Sequence, residues 1–187
     1  TPRIKQTAQL LWVVYILLTA VEAVLLCMAG MPLYDSLCNT FASMATGGFS
    51  PQALSIAAYR SWVIDLIIVG FMFLAGANFA LHYRMLNSDR KALIRNPEFR
   101  FYSLIVLMAM AVIVLWGGLE GSILRKIQLA GFQAVSIMTT TGFATTDFDQ
   151  WTAAAKYTLL LLMIIGACAG STGGAIKVVR ILLVLKS

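Results

Sequence analysis

The chain alternates long apolar segments with short basic ones. Four segments, residues 10–31, 63–81, 101–119 and 157–176, are apolar over the roughly 20 residues that a helix needs to cross a bilayer. Glu22 and Asp65 are the only charges in the first two, and the last two carry none. Two further apolar runs, 33–46 and 127–141, are shorter, about 21–23 Å at 1.5 Å per helical residue. Runs of that length are read as re-entrant segments or buried core helices. Each lies between two spanning candidates and ends in a small-residue, Gly-containing stretch. The pattern therefore predicts span, half-span, turn, span, and the same again.

Composition agrees with that reading. Of 187 residues, 60% are hydrophobic and only 12% charged, with a mean hydropathy of +0.85. A soluble domain carries about 25% charged residues, so a disulfide scaffold, a disordered chain and an ordinary soluble enzyme are all disfavoured. Cys27, Cys38 and Cys168 lie within apolar stretches without metal-ligand spacing and read as small buried hydrophobes. No cleavable leader is recognisable, and a chain opening Thr1-Pro2 is expected to be a piece of something longer.

The net charge of +6 is divided among separate places on the chain. Arg3 and Lys5 precede the first span, Arg84, Arg90, Lys91, Arg95 and Arg100 join the second to the third, and Lys177, Arg180 and Lys186 close the fourth. Only Arg60, Arg125, Lys126 and Lys156 fall on the other side. The positive-inside rule puts both termini of this chain in the cytoplasm, with the half-spans dipping from outside, and leaves nucleic acid without a role. Trp12, Trp62, Trp116 and Trp151 fall near span ends, as an aromatic belt requires.

A shift of 94 residues brings the halves into register without a gap from about residue 33 to residue 86. Met44 falls on Met138, Thr46 on Thr140, Gly48 on Gly142 and Phe49 on Phe143. The tips read Ala45-Thr46-Gly47-Gly48-Phe49-Ser50 and Thr139-Thr140-Thr141-Gly142-Phe143-Ala144-Thr145. Neither contains an ionised side chain, so a cation met there must be held by carbonyl and hydroxyl oxygens. That suits a weakly hydrated monovalent ion rather than Mg²⁺ or Ca²⁺, which ask for carboxylates. Gly48 and Gly142 permit dihedral angles that a Cβ resists, and the short helices before them aim negative C-terminal ends at the ion. The alternative is a pair of ordinary turns.

These loops, together with Gly170-Ser171-Thr172-Gly173-Gly174-Ala175-Ile176-Lys177, resemble the second and third pore loops of the Trk/Ktr/HKT superfamily of potassium transporters, closest to its bacterial TrkH/TrkG type. The resemblance covers essentially the whole chain. It implies an all-α membrane protein made of two tandem span–re-entrant pore helix–filter loop–span units of a four-unit potassium-channel-like pore. The first unit would be 1–86, with a pore helix near 33–46 and a filter near 46–50. A basic cytoplasmic connection, 87–100, would lead to a second unit, 101–187, with a pore helix near 127–140 and a filter near 140–145.

The resemblance further implies K⁺ uptake across the bacterial cytoplasmic (inner) membrane. The filter would comprise Thr46, Gly47, Gly48, Phe49, Thr140, Thr141, Gly142 and Phe143, with K⁺ at the backbone carbonyls of Thr46, Gly47, Gly48, Thr140, Thr141 and Gly142. Implied partners are a second identical subunit and a cytoplasmic nucleotide-binding regulatory subunit, alongside membrane lipid; the basic stretch 82–100 reads either as a docking surface for the regulator or as charges solvated beside anionic lipid heads. No cofactor is assigned to this chain. The competing functions are a Na⁺/K⁺-permeable relative, a non-conducting structural piece, and an intramembrane enzyme. The last lacks a His near Ser171 and any His-Glu-x-x-His site.

From Gly166 the fourth span is glycine-rich, and four glycines in ten residues each cost about 1 kcal/mol against Ala in a helix. Close helix packing through small residues is one reading. The other, favoured by the resemblance, is a gate loop beneath the filter comprising Gly166, Gly170, Ser171, Thr172, Gly173, Gly174 and Lys177. The equivalent stretch of the first unit, with only Gly76, reads as unbroken. Glu22 is expected to be protonated or paired with a segment missing from this chain, Asp65 to snorkel at the interface near Arg60, and the sole His82 to be interfacial. Asp147 and Asp149 either concentrate cations at the mouth or belong to a solvated loop.

Overall fold

The computed structural model describes residues 2–87, 89 and 91–186, so Arg90 of the basic connection lies outside the described residues. The described chain is all helical apart from loops and one isolated bridge between Ile165 and Ile176. In chain order the helices are α1 (Pro2–Met28), α2 (Leu33–Met44), α3 (Trp62–Ala75), α4 (Phe79–Asn87), α5 (Ala92–Arg95), α6 (Pro97–Trp116), α7 (Ile123–Met138), α8 (Ala153–Ile164) and α9 (Val178–Lys186). Short 3₁₀ turns follow each tip, at Ser55–Tyr59 and Phe148–Gln150.

The 94-residue repeat is visible in this order. Helix α1 packs on α2, α3 and α4, helix α6 packs on α7, α8 and α9, and α3 lies against α7 to join the halves. One apolar core crosses both halves, from Leu26 and Ile68 through Tyr102 and Phe132 to Phe143 and Leu159. Local signals explain the starts of α6 and α7. Asn96 Oδ1 accepts from the Phe99 N–H at 3.0 Å with Pro97 at the first helical position, and Ser122 Oγ accepts from the Arg125 N–H at 3.4 Å.

Two of the four spans expected from hydropathy are continuous: Ala8–Met28 and Pro97–Trp116. The other two are broken. The 63–81 segment turns by 101° between α3 and α4, and the 157–176 segment leaves the helix at Ile164 and re-forms it only at Val178. The expectation that the first unit stays unbroken at Gly76 is therefore corrected. The reason lies in partners far away in sequence. The Phe73 carbonyl accepts from the Tyr102 hydroxyl at 3.3 Å, and that of Ala75 accepts from Thr172 N–H and Oγ1 at 3.4 and 3.3 Å. The Gly76 carbonyl accepts from the Cys168 N–H at 3.0 Å, while the Leu74 carbonyl faces His82 Nε2 at 2.9 Å. A helix end leaves about four carbonyls to be satisfied, and here tertiary donors take them. Asn78 Oδ1 then accepts from Ala80 N–H at 2.9 Å and restarts the helix.

Several single-residue expectations also change. Asp65 is buried rather than snorkelling, because Gln128 Nε2 of α7 donates to its Oδ2 at 2.7 Å. His82 is buried against α3 rather than interfacial. Trp12, Trp62 and Trp116 are exposed, but Trp151 belongs to the core. Cys168 is buried, while Cys27 and Cys38 are half-buried.

Candidate functional site

Helices α2 and α7 end in the two tips, whose backbone hydrogen bonds repeat each other. In the first, the N–H groups of Gly47 and Gly48 both reach the Ala42 carbonyl, at 2.7 and 3.3 Å. In the second, those of Thr141 and Gly142 both reach the Ser136 carbonyl, at 3.0 and 3.2 Å. Thr46 and Thr140 both have left-handed backbones, φ +53° and +60°, and Gly48 and Gly142 follow at +68° and +86°. A β-branched residue at positive φ is an outlier costing of order 1–3 kcal/mol, sustained only where the surroundings over-determine it.

The surroundings that do so come from the irregular segment between α8 and α9. Thr46 Oγ1 donates to the Thr172 carbonyl at 3.0 Å, and Thr140 Oγ1 accepts from the Gly174 N–H at 2.7 Å. Lys177 Nζ donates to the Gly173 carbonyl and to Ser171 Oγ. The glycines of this segment are sites of close approach. A Cβ on Gly166 would sit 2.1 Å from the Gly174 carbonyl oxygen, on Gly170 2.9 Å from the Asn78 side chain, and on Gly173 2.9 Å from Ala167 Cβ. A Cβ on Gly174 would meet only ordinary contacts. The segment thus touches both tips, the break between α3 and α4, and α6, where Glu98 Oε1 accepts from the Ala169 N–H at 2.6 Å.

The halves also meet backbone to backbone. A Cβ on Gly48 would lie 1.8 Å from the Thr141 carbonyl oxygen, whereas one on Gly142 would meet nothing within 4 Å. The carbonyls of Thr46, Gly47, Gly48, Thr140, Thr141 and Gly142 accept no hydrogen bond from the described residues. Protein carbonyls at low exposure are nearly always paired, and Thr46 and Thr141 are both buried. Among the described residues no group of three or more His, Cys, Asp or Glu side chains could hold a metal ion, so oxygen ligands at the tips would be carbonyls and hydroxyls.

The two phenylalanines part company. Phe143 is buried and its carbonyl accepts from Ser136 Oγ at 2.7 Å, while Phe49 is 84% exposed. The residue equivalent to Ser136 in the first half is Ala42, which has no hydroxyl to give. Asp147 and Asp149 are exposed, with Asp147 capping the turn that contains Asp149.

Polar residues overlooked in the sequence support the first tip from behind. Helix α2 buries Asp35, Ser36, Asn39, Thr40 and Ser43 and exposes Leu33, Tyr34 and Phe41. Asp35 Oδ2 accepts from Tyr59 OH at 2.8 Å and Gln52 Nε2 at 2.9 Å, while Asn39 Nδ2 donates to Tyr59 OH at 3.0 Å. Burial, reinforced by the hydrogen bond to Asp35, pushes the Tyr59 phenol up to about 12. The signal was available: five polar residues at helical spacing within an apolar run mark a face turned inward.

Glu22 of α1 is fully buried, and Ser43 Oγ donates to its Oε1 at 2.5 Å, while its Oε2 has no partner. Ser43→Ala would leave the carboxyl group without its donor, at a cost of about 1–3 kcal/mol. A lowered thermal midpoint of the full-length protein in detergent is the expected result. Glu22→Met added to Ser43→Ala should recover most of the loss, because the polar mismatch is then gone. Equal midpoints for the single variant and the parent would remove this pair from the account of stability.

Repeated pairs of spans around a re-entrant helix, with the tips facing each other and a broken span packed on them, define an all-helical membrane protein of pore-loop architecture. The sequence profile of the TrkH family, described as Cation transport protein, matches residues 1–187. The chain is 41% identical over 189 residues to the Trk system potassium uptake protein TrkH of Escherichia coli (strain K12), covering 99% of this chain and 39% of that protein. It is 35% identical over 193 residues to the Trk system potassium uptake protein TrkG of the same strain, covering 100% of this chain and 39% of that protein. The crystal structure of the potassium transporter TrkH from Vibrio parahaemolyticus superposes with a TM-score of 0.93 at 39% identity, covering 99% of this chain and 41% of that one. The chain belongs to the TrkH family of cation transport proteins. It spans about two-fifths of the length of the curated relatives it matches.

Proposed function

We propose that this chain supplies two of four pore units of a potassium uptake protein in the bacterial inner membrane, with both of its termini cytoplasmic. The units are 1–86 and 101–187, joined by the basic connection 87–100. The observation that carries the reading is the set of six tip carbonyls, on Thr46, Gly47, Gly48, Thr140, Thr141 and Gly142, that accept no hydrogen bond from the described residues. Carbonyl oxygens without donors replace the water shell of a weakly hydrated cation at no cost in broken protein bonds. The relatives are named as potassium uptake proteins, which supports K⁺ as the cargo.

In this reading Phe143 is a wall of the filter, and Phe49 waits for the units outside this chain to cover it. The segment 166–177 is the gate. It holds the two strained threonines in place while occupying the ground below them. A second identical subunit and a cytoplasmic nucleotide-binding regulator complete the assembly, with the regulator docked on the basic 82–100 stretch.

The test is ⁸⁶Rb⁺ uptake into proteoliposomes containing the full-length protein, with K⁺ or Na⁺ as competitor, in the parent and in Gly142→Ser. Uptake blocked by K⁺ and not by Na⁺ is expected in the parent, and loss of that discrimination in the variant. Uptake indifferent to Gly142→Ser in a folded protein would reduce the tips to structural turns.

A further inference from the structure

A groove at the junction of the two halves joins an apolar floor to a basic mouth. Its floor, about 350 Å³, runs between α3, α6 and α7 and includes Leu66, Val69, Val106, Met110, Ile127 and Phe132. Along α7 it extends from Leu124 to Val135, about 16 Å at 1.5 Å per residue. At the end where α3 and α7 begin, Trp62 and Asp65 also line an adjoining pocket of about 330 Å³. That pocket is lined in addition by Arg60, Arg125 and Thr145.

The mouth carries unspent polar capacity. Arg60 makes no hydrogen bond or ion pair among the described residues, and its backbone is left-handed at φ +47°. Arg125 gives one N–H to Gln128 Oε1 at 3.1 Å, and Gln128 in turn donates to Asp65 at 2.7 Å. Asp65 is thus engaged by Gln128, and the two guanidiniums outnumber it. Thr145 is more than nine-tenths buried, and its Oγ1 has no partner. A hydroxyl in that position, beside two guanidiniums, asks for an acceptor carrying negative charge.

We infer that this groove is a binding site for an anionic phospholipid of the leaflet facing the N-terminal ends of α3 and α7. The phosphate sits between Arg60 and Arg125, accepting from Thr145 Oγ1, and one acyl chain lies along the floor. The continuity of the basic mouth with an apolar trough is what selects this occupant. A free anion would leave the trough unfilled, and a neutral amphiphile would leave the guanidiniums and Thr145 without an acceptor. Since α3 and α7 form one of the contacts between the halves, the lipid would bridge them beside the second tip, which ends at Thr145.

Native mass spectrometry of the full-length protein in detergent tests the site, with phosphatidylglycerol and diacylglycerol of identical chains as probes. The parent should retain phosphatidylglycerol at least five-fold more than diacylglycerol. Arg60→Gln with Arg125→Gln should lower that retention at least five-fold, and so should Ile127→Trp, which fills the trough from an exposed position. All three side chains face outward, and a thermal melt verifies that the variants are folded. Equal retention of the two probes by the parent, or retention unchanged in either variant, would overturn the site. Displacement of the lipid by millimolar inorganic phosphate alone would also overturn it, since the trough would then contribute nothing.

Discussion

Gly48→Ser should eliminate K⁺ uptake by the full-length protein together with its assembly, while Gly142→Ser, at the equivalent position of the other half, should leave a folded protein. The asymmetry does not come from backbone conformation. Both glycines have positive φ, +68° and +86°, and a side chain in that region costs roughly 1–2 kcal/mol at either site. It comes from what stands opposite. The Cβ of a residue at 48 would lie 1.8 Å from the Thr141 carbonyl oxygen and 2.8 Å from its carbon, and both are backbone atoms that no rotamer change can move aside. At 142 the added atom meets nothing within 4 Å. Detergent size-exclusion profiles and ⁸⁶Rb⁺ uptake read the difference. Uptake from Gly48→Ser below a tenth of the parent's is expected, with loss of the monodisperse peak. Comparable peaks and uptake for the two variants would mean that the tips are not pressed together as described.

Lys177→Met should raise uptake in the absence of any regulatory partner. Lys177 Nζ donates to the Gly173 carbonyl, and through Gly174 the same turn holds Thr140 Oγ1 at 2.7 Å. A hydrogen bond from a charged group contributes about 1.5–3 kcal/mol. On the gating proposed for 166–177, taking it away from the closed loop alone shifts the closed–open balance about ten-fold or more, at 1.4 kcal/mol per decade. Lys177→Arg retains a charged donor and should stay near the parent. Gly174→Ala, whose Cβ meets only ordinary contacts at 3.5–3.9 Å, is the matching control within the loop. Uptake by Lys177→Met equal to or below that of the parent would show that the loop is not held shut by this residue.

How far the sequence carried these conclusions depended on how local the cause was. The half-spans were legible because their length is a local property, and their tips because Thr46 and Thr140, Gly48 and Gly142 recur at a constant offset. The structure starts α7 at Ile123, four residues before the apolar run, since Ser122 caps a turn that carries Arg125 and Lys126. The break at Gly76 was not legible, since 63–81 is apolar enough to span and the donors that end α3 come from Tyr102, Cys168 and Thr172. Asn78 was the one local hint, as a cap in the middle of an apolar run.

Glu98 was passed over because a carboxylate in the first turn of a helix has a sufficient local explanation, while its actual partner is the Ala169 N–H. The different fates of Phe49 and Phe143 could have been read from the repeat itself. Ala42 stands where the second half has Ser136, so only one tip can tether its phenylalanine carbonyl.

The interlocking of the two broken spans has a consequence for the order of biosynthesis. When residues 63–81 emerge from the ribosome, the donors that take the carbonyls of Phe73, Ala75 and Gly76 are not yet made, and Cys168 and Thr172 follow more than ninety residues later. A backbone without donors is intolerable in lipid, so the bent form of this segment depends on the second half for its hydrogen bonds. The 101° bend between α3 and α4 is therefore completed only when the second half is present to donate to the freed carbonyls. The first half of the sequence thus encodes a segment whose working shape only the second half can complete.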